Sequence, residues 1–354
     1  MKLPPGIEKC GVQLYDYPRR EDYTPQTQTD QSQPDQQQAP LQLIFATSLR
    51  DIAADDRVGS LTDIPRGLSY MMGLIEATNL AINECYHDLG NYINIRGIIT
   101  DDLPTDYTDP IRTYQNPYAP WIYPLHDRND EGKPLGQLTT HIPSDFRMET
   151  DKDKRRTKRE RFEDEVFAVS QEMGADIIVS DHLMVIINHL LKENRYGIGR
   201  TLNLHPGVID PLQPSRLPGS TPTTDAIERV RDRTVYNNKT RLYEPAPHNL
   251  LTGASLHMMT KEVDGGPLIA SSRRTLVNKN DRKRDLRYRN YPVKFRVFVE
   301  GIIHYVEKLF PHLDSLDLKA KRRLVTTKPF LVDQFREKRQ EALHPILDKR
   351  HPKR

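Results

Sequence analysis

The sequence predicts an α/β protein with a mostly parallel sheet that carries helices on both of its faces. Short apolar runs of strand length alternate along the chain with segments whose apolar residues recur at helical spacing. Such alternation is typical of a parallel sheet covered on both sides. These sheets bind ligands at the carboxyl ends of their strands, so we expect the functional residues at that edge.

Six short apolar runs have the length of buried strands. In chain order, the predicted strands are LQLIFAT (41–47), YINIRGIIT (92–100), ADIIVS (175–180), RTLNLH (200–205), TGASLHMMT (252–260) and PLIASSRRTL (267–276). The last two are separated by a turn rather than by a helix.

Five segments predict helices. Asp63 and Pro65 suit a helix start, because aspartate caps the first turn and proline fits within it. Thr223 or Thr224 would cap another helix in the same way. The first predicted helix starts at 63–65, and the second contains Phe162, Val166, Val169 and Met173 at helical spacing. The third covers 183–192, the fourth covers TTDAIERVRD (223–232), and the fifth runs from after Pro292 to about Phe310.

The chain of 354 residues divides by composition into three parts. Residues 1–40 form an N-terminal arm and a polar linker, TPQTQTDQSQPDQQQAP (24–40), whose composition predicts disorder. We expect one folded domain over 41–316, interrupted by a long irregular insertion over 101–150 that is rich in Pro, Tyr and Asp. A charged tail covers 317–354.

The composition argues against several classes of protein. There are 52 Lys and Arg against 49 Asp and Glu, so the charge gives no general attraction to nucleic acid. Cys10 and Cys85 are too few for a disulfide scaffold or a Cys-based zinc site. No run approaches the roughly 18 apolar residues of a membrane span, and no apolar signal segment is present. We expect a cytoplasmic protein that binds no membrane, nucleic acid or metal.

The most informative stretches are LNLHPGVIDPLQPSRLPG (202–219) and GASLHMMTKEVDGGP (253–267). Asn203 and His205 are two residues apart at the end of a predicted strand, so their side chains point to the same face. Asp264 precedes a Gly-Gly pair between two predicted strands. Taken singly, these residues are typical of a loop-capping amide, a surface histidine and a turn aspartate.

Together these pieces resemble the 10-formyltetrahydrofolate-dependent formyltransferases, a family that includes glycinamide ribonucleotide transformylase. The shared pattern is Asn-x-His-Pro, a Leu-Pro-Gly turn before a helix, and a strand that ends in x-Asp-Gly-Gly-Pro. The resemblance covers about 174–276 closely and the strands from Leu41 onward loosely; it does not cover 1–40 or 101–150. It implies a Rossmann-like formyltransferase catalytic domain over 41–316.

The resemblance implies that Asn203, His205 and Asp264 are the catalytic residues and that His257 supports them. Formyl transfer to an amine passes through a tetrahedral oxyanion, which an amide N–H and an imidazolium can stabilise. A carboxylate beside the histidine can raise the histidine pKa and relay protons. This chemistry requires no covalent enzyme intermediate.

The resemblance also implies a binding site for 10-formyltetrahydrofolate, the co-substrate, beside 183–187 and the turn before Asp264. A pterin ring needs an apolar slot with a few polar backbone groups. The predicted folate contacts are Leu183, Met184, Val185, Ile186, Ile187 and Val263.

The turn after the first strand, ATSLRDIAADDRVGS (46–60), bears on the amine acceptor. The ribonucleotide enzyme binds a phosphate at this place in a Gly/Ser-rich turn, whereas here the turn is acidic and lacks a glycine-rich nest. An amino-acid acceptor would use a carboxylate such as Asp51 for its ammonium group and Arg50 or Arg66 for its carboxylate. The segment 62–79, together with 216–229, looks like the hydroxyornithine formyltransferases of siderophore synthesis, which favours hydroxyornithine.

Other functions stay open on the sequence alone. Glycinamide ribonucleotide and an amino sugar nucleotide are alternative acceptors. A non-catalytic relative that binds folate or a partner protein is an alternative of another class, although such a module has no chemical need for the three catalytic residue types. The sequence does not decide the oligomeric state.

Overall fold

The computed structural model describes residues 12–17, 40–47, 93–101, 138–181, 183, 187–192, 195–213, 216–232, 234–237, 242–245 and 251–309. The strands are β1 (Gln13–Leu14), β2 (Leu41–Thr47), β3 (Ile93–Thr100), β4 (Thr139–His141), β5 (Ile177–Asp181), β6 (Thr201–His205), β7 (Thr234–Asn237), β8 (Leu242–Pro245), β9 (Leu251–Met258) and β10 (Leu268–Leu276). The α-helices are α1 (Lys152–Glu172), α2 (Pro222–Asp232) and α3 (Lys283–Leu309), and short 3-10 helices cover Asp145–Met148 and Ile198–Arg200.

Eight of these strands form one mixed sheet in the order β1-β10-β9-β6-β5-β2-β3-β4. The five strands from β6 to β4 in this order run parallel to one another. Strands β9, β10 and β1 add an antiparallel extension beside β6. Strands β7 and β8 form a separate antiparallel pair.

Helix α1 covers one face of the sheet. Its first turn is capped by Asp151, whose carboxylate accepts the backbone N–H groups of Asp153 and Lys154 at 3.0 Å. Phe162 and Val166 lie one turn apart on the inner side of the helix and are buried. They join a core cluster whose sheet members are Ile44, Ala46, Ile99 and Ile178.

Helix α3 covers the opposite face. Phe298 packs against Phe45 of β2 with ring centroids 5.5 Å apart. Phe45 alternates along the strand with the residues that face α1, so its side chain points to the other face of the sheet. At the end of β5, Asp181 forms a fully buried ion pair with Lys294 of α3. Burial raises the pKa of Asp181, although the Lys294 ammonium group acts in the opposite direction. Helices on both faces of a mostly parallel sheet confirm the predicted fold class.

The predicted helix over 183–192 is wrong in its described part. Residues 187–192 form successive turns, in which the N–H groups of Leu190 and Leu191 bond to carbonyls three residues earlier. Ile187 and Leu190 are buried in the cluster beneath α1. Apolar residues three positions apart suit a tight turn as well as a helix, so their spacing alone was misleading.

The cap predicted for the helix over 223–232 is also wrong. Helix α2 begins at Pro222, so Thr223 and Thr224 lie within its first turn and do not precede it. Proline suits the first helical position because the N–H that it lacks would have no partner inside the helix.

The long C-terminal helix begins earlier than predicted. Helix α3 starts at Lys283, so Pro292 lies inside the helix rather than before it. An internal proline removes one backbone hydrogen bond. The segment before it is stabilised by Leu286, which is buried in a cluster with Leu217, Ala226, Ile227 and Val277.

Short edge strands come from parts of the chain in which the sequence predicts no regular structure. Strand β1 lies in the N-terminal arm and pairs with β10. Strand β4 lies near the end of the insertion over 101–150 and pairs with β3. These strands have only two and three residues, which is too short for an apolar period to be recognised.

Several predictions lie outside the described residues. They are the helix start at 63–65, most of the insertion over 101–150, nearly all of the linker over 24–40 and the tail over 317–354. The proposed domain limits therefore stay predictions. Among the helices that the structure describes, none has the length and apolar character needed to cross a membrane.

Candidate active site

Strands β6 and β9 bring three polar side chains to one face of the sheet. Asn203 and His205 occupy alternate positions at the carboxyl end of β6 and therefore share a face. The antiparallel register pairs Asn203 with His257 of β9, which places the imidazole of His257 on the same side. The predicted projection of Asn203 and His205 from one strand end is thus present in the structure.

The turn between β9 and β10 returns Asp264 to this face. Asp264 has φ of 52°, a left-handed conformation that is uncommon for a residue other than glycine. A side chain at Gly266 would overlap the carbonyl oxygen of Met258, so the tight turn requires glycine there. This sharp reversal places the Asp264 carboxylate beside two histidines.

The four side chains form one connected group. An Asp264 carboxylate oxygen lies 3.4 Å from Nε2 of His205, and the other lies 3.5 Å from Nε2 of His257. Nδ2 of Asn203 lies 3.0 Å from the same Nε2 of His257. The side chains of His205, Asp264 and His257 are only 6%, 6% and 3% exposed, whereas Asn203 is half-buried.

The backbone of Gly219 links His205 to Asp264. Its N–H donates to the Asp264 carboxylate at 2.6 Å, and its carbonyl oxygen lies 3.0 Å from Nε2 of His205. Gly219 has φ of +98°, a conformation that favours glycine. The Leu-Pro-Gly turn thus orients both polar groups of one residue toward the site.

Asp264 is held as a carboxylate. Its burial acts to raise its pKa, but the hydrogen bond with His257, the charge of His205 and the Gly219 N–H together bring the pKa below its ordinary value. Asp264 is therefore ionised throughout the neutral range and can stabilise a proton on a neighbouring imidazole.

His205 has partners for both of its ring nitrogens. Nδ1 lies 3.2 Å from the Gly207 carbonyl oxygen, and Nε2 faces the carbonyl of Gly219. A carbonyl oxygen can only accept, so both contacts are hydrogen bonds when both nitrogens carry protons. Burial lowers the pKa of His205, while Asp264 and the two carbonyls act to raise it. Burial thus favours the neutral ring, and the Gly207 and Gly219 carbonyls are in place to accept both N–H groups when the ring takes up a proton.

His257 orients the amide of Asn203. Nδ1 of His257 lies 3.0 Å from the Met258 carbonyl oxygen, which requires a proton on Nδ1. Nε2 faces both the Asn203 amide and the Asp264 carboxylate: without a proton it accepts an N–H of the amide, and with a proton it donates to the carboxylate.

The described members of the predicted folate site differ in their exposure. Val263 is 54% exposed in the turn next to Asp264, and Leu183 is half-buried against the cluster beneath α1. Ile187 is 1% exposed and belongs to the core itself, so Val263 and Leu183 offer the accessible apolar surface. Met184, Val185 and Ile186 lie outside the described residues.

The predicted acceptor-binding residues Arg50, Asp51 and Arg66 also lie outside the described residues. The carbonyl of Gly207 and both backbone groups of Gly219 also belong to the site, although neither residue was predicted to be functional. The Pro-Gly pairs of the motif were the available signal for them. Among the described residues, no group of three or more His, Cys, Asp or Glu could hold a metal ion.

The arrangement supports acid–base chemistry next to a developing negative charge. Asn203 offers an amide N–H, His205 can carry a proton, and Asp264 stabilises the protonated ring. These groups meet at the carboxyl end of β6, beside an exposed apolar residue, Val263. The geometry therefore suits a reaction in which a proton moves while an oxyanion forms.

The conformation of Gly219 yields a testable prediction. We expect Gly219→Ala to lower kcat between about 10- and 100-fold, because the strained backbone would move the N–H and the carbonyl away from Asp264 and His205. Formyl-transfer kinetics would measure the loss.

Gly174→Ala is the matched control. Gly174 follows α1 and, like Gly219, has a positive φ. At either position, an added Cβ would have no neighbouring atom within 4 Å among the described residues. Both substitutions should cost roughly 1–2 kcal/mol in unfolding free energy, but only Gly219→Ala should affect turnover. Equal turnover in the two variants would remove Gly219 from the site.

Comparisons with known proteins agree with the fold of this chain. No protein-family model and no curated protein matches the chain. Among solved structures, PvdF of pyoverdin biosynthesis, a structurally unique N10-formyltetrahydrofolate-dependent formyltransferase, is similar with a TM-score of 0.62 and 28% identity. The match covers 76% of this chain and 100% of PvdF.

More distant matches include two formyltransferases that are named for a ribonucleotide substrate. Glycinamide ribonucleotide transformylase 1 from Symbiobacterium toebii has 15% identity and a TM-score of 0.43 over 74% of this chain and 86% of its own. Phosphoribosylglycinamide formyltransferase from Streptococcus pneumoniae TIGR4 has 15% identity and a TM-score of 0.41 over 74% of this chain and 97% of its own. The likeness to PvdF confirms the resemblance to formyltransferases that the sequence motif indicated.

Proposed function

We propose that the chain transfers a formyl group from 10-formyltetrahydrofolate to an amine or hydroxylamine nitrogen, with Asn203, His205 and Asp264 as the catalytic residues. The observation that carries this proposal is the buried contact of Asp264 with His205 and His257, next to the Asn203 amide. The likeness to PvdF supports the choice of formyl donor.

Asn203 and His205 would stabilise the oxyanion. When the acceptor nitrogen attacks the formyl carbon, a C–N bond forms and the carbonyl oxygen gains negative charge. An N–H of the Asn203 amide can donate to that oxygen, and the positive charge of a protonated His205 beside it stabilises the oxyanion. Because the side chain of His205 is almost fully buried, its hydrogen bonds are stronger than they would be in water.

Asp264 would handle the protons. The attacking nitrogen must lose a proton, and the folate nitrogen must gain one as its bond to the formyl carbon breaks. The lowered pKa of Asp264 keeps it ionised, so it can stabilise His205 as an imidazolium and relay protons directly or through water. The reaction needs neither a nucleophilic side chain nor a metal for its atoms and charges to balance.

The accessible apolar surface of Val263 and Leu183 would contact the folate. Val263 lies directly before Asp264 in the chain and is 54% exposed, so its apolar surface is open to a ligand. A pterin ring that covered Val263 would remove this surface from water. Met184, Val185 and Ile186 belong to the same predicted folate segment, whereas the buried Ile187 supports that segment from the core.

Hydroxyornithine is our proposed acceptor. PvdF, which belongs to the biosynthesis of the siderophore pyoverdin, has a higher identity to this chain than the ribonucleotide enzymes do. A hydroxylamine nitrogen is also less basic than an alkylamine, so more of it is unprotonated and nucleophilic at neutral pH. Asp51, with Arg50 or Arg66, would bind the ammonium and carboxylate groups of the amino acid.

Removal of the Asp264 charge tests the catalytic assignment. We expect Asp264→Asn to lower kcat by about 100-fold or more, as is typical for the loss of an acid–base group or its orienting partner. Steady-state formyl-transfer kinetics would measure this change, and folate binding should persist.

Asp281→Asn is the matched control, because Asp281 is also a buried aspartate, paired with Arg289 outside the site. We expect that variant to lose stability and to keep its kcat. Near wild-type turnover of Asp264→Asn would exclude Asp264 from the mechanism.

The acceptor is tested by direct competition between substrates. With 10-formyltetrahydrofolate as donor, we expect a higher kcat/KM for hydroxyornithine than for glycinamide ribonucleotide or an amino sugar nucleotide. Faster formylation of either alternative would contradict the hydroxyornithine assignment and leave the formyltransferase chemistry standing. Folate binding without transfer to any of the three would favour a non-catalytic relative.

A further inference from the structure

The segment 12–17, here called the arm segment, is bound to the folded domain through its backbone. Gln13 and Leu14 pair with Ser271 and Ala270 of β10. The N–H of Tyr15 donates to the Ile269 carbonyl at 3.0 Å. These bonds fix the position of Tyr15 at the edge of the sheet.

The arm segment also packs against the C-terminal end of α3. The Tyr17 ring stacks on Tyr305 with centroids 6.2 Å apart and meets His304 edge-on at 5.7 Å. The Lys308 ammonium group lies 4.1 Å from the centre of the Tyr17 ring, and Nε2 of His304 contacts the Tyr15 carbonyl oxygen at 3.0 Å. The segment is thus held on both sides of Tyr15.

The Tyr15 hydroxyl reaches the loop that follows the catalytic strand. It donates to an Asp210 carboxylate oxygen at 2.9 Å, and the other oxygen accepts the N–H of Leu212 at the same distance. Asp210 is only 3% exposed, so these partners take the place of water around its carboxylate. Burial, followed by the contact with Asp210, raises the pKa of Tyr15, so the hydroxyl stays a donor at neutral pH.

Asp210 ends a loop, 206–210, that begins directly after His205. Gly207 in this loop supplies the carbonyl that faces Nδ1 of His205. The loop is fixed at Ile209, whose N–H donates to Ser255 Oγ at 3.2 Å and whose carbonyl accepts from Arg216 Nε at 3.1 Å.

The space around Gly207 leaves little freedom for the loop. A Cβ at Gly207 would lie 3.1 Å from Cε1 of His205 and 2.9 Å from Cβ of Pro222. A small shift of the loop would therefore change the contact with the His205 ring.

We propose that Tyr15 is a positioning residue for catalysis, which holds Asp210 and thereby fixes the Gly207 carbonyl against His205. This inference rests on the proposed role of His205 in formyl transfer. It makes the arm segment part of the functional unit, although the segment contributes no group that touches substrate.

Two measurements on Tyr15→Phe test the inference. With 10-formyltetrahydrofolate and hydroxyornithine, we expect kcat to fall about tenfold while KM for the folate changes little, because only the orientation of His205 is affected. Without substrate, NMR titration should place His205 below the ordinary histidine pKa of about 6.5 in the wild type. In Tyr15→Phe the midpoint should fall further below that value, because the Gly207 carbonyl that favours the protonated ring is no longer held against Nδ1. His257 and Asp264 are the titratable groups that face His205, and a His205→Gln variant assigns its signal.

Tyr305→Phe is the matched control, because its hydroxyl donates to the Gly199 carbonyl at 2.6 Å near the opposite, amino end of β6. We expect it to lose stability without a change in kcat or in the His205 titration. Asp210→Asn, which keeps an acceptor for Tyr15, should be affected less than Asp210→Ala.

If Tyr15→Phe behaves like Tyr305→Phe in both measurements, the positioning role is excluded. If the wild type formylates no acceptor, the titration still shows whether Tyr15 affects the pKa of His205. Failure of the proposed function can therefore be distinguished from failure of this inference. Should Tyr15→Phe not fold, the comparison of Asp210→Asn with Asp210→Ala decides the same point.

Discussion

The two hydrogen-bonding groups of Gly219 join the two halves of the candidate site. Asp264 comes from the turn after β9, and His205 comes from the end of β6; the Gly219 N–H bonds to the first and its carbonyl faces the second. A buried carboxylate without such donors would be costly and would tend to take up a proton. The charge of Asp264, the protonation of His205 and the conformation of the Leu-Pro-Gly turn therefore depend on one another.

The sheet topology explains why these groups meet. Strand β6 is the last of the parallel strands and has antiparallel β9 on its other side. The carboxyl end of β6 is therefore next to the start of β9, and His205 pairs in register with Ser255. The turn after β9 must fold back to bring Asp264 to the same place, which its left-handed backbone and the crowded position of Gly266 make possible. The catalytic edge is thus built where the strand direction changes.

The sequence predicted the parts of this account that depend on residue type and period. Apolar runs located β2, β5 and β6, and the two-residue spacing of Asn203 and His205 placed their side chains on one face. The sequence could not reveal which backbone carbonyls face His205, because every residue has a carbonyl and only the fold orients it. The helix wrongly predicted at 187–192 and the start of α3, which was predicted too late, have a similar cause, since apolar spacing and a proline are local signals that tertiary packing overrode.

The central claim is that the group around Asp264 transfers a formyl group directly between two bound substrates. The most direct test is a single-turnover experiment with donor labelled with ¹³C in the formyl group, analysed by mass spectrometry of both the protein and the small molecules. We expect the label to pass from 10-formyltetrahydrofolate to the hydroxyornithine nitrogen, with none on the protein at any time. Label bound covalently to the chain, or label that stays on the folate, would contradict the account.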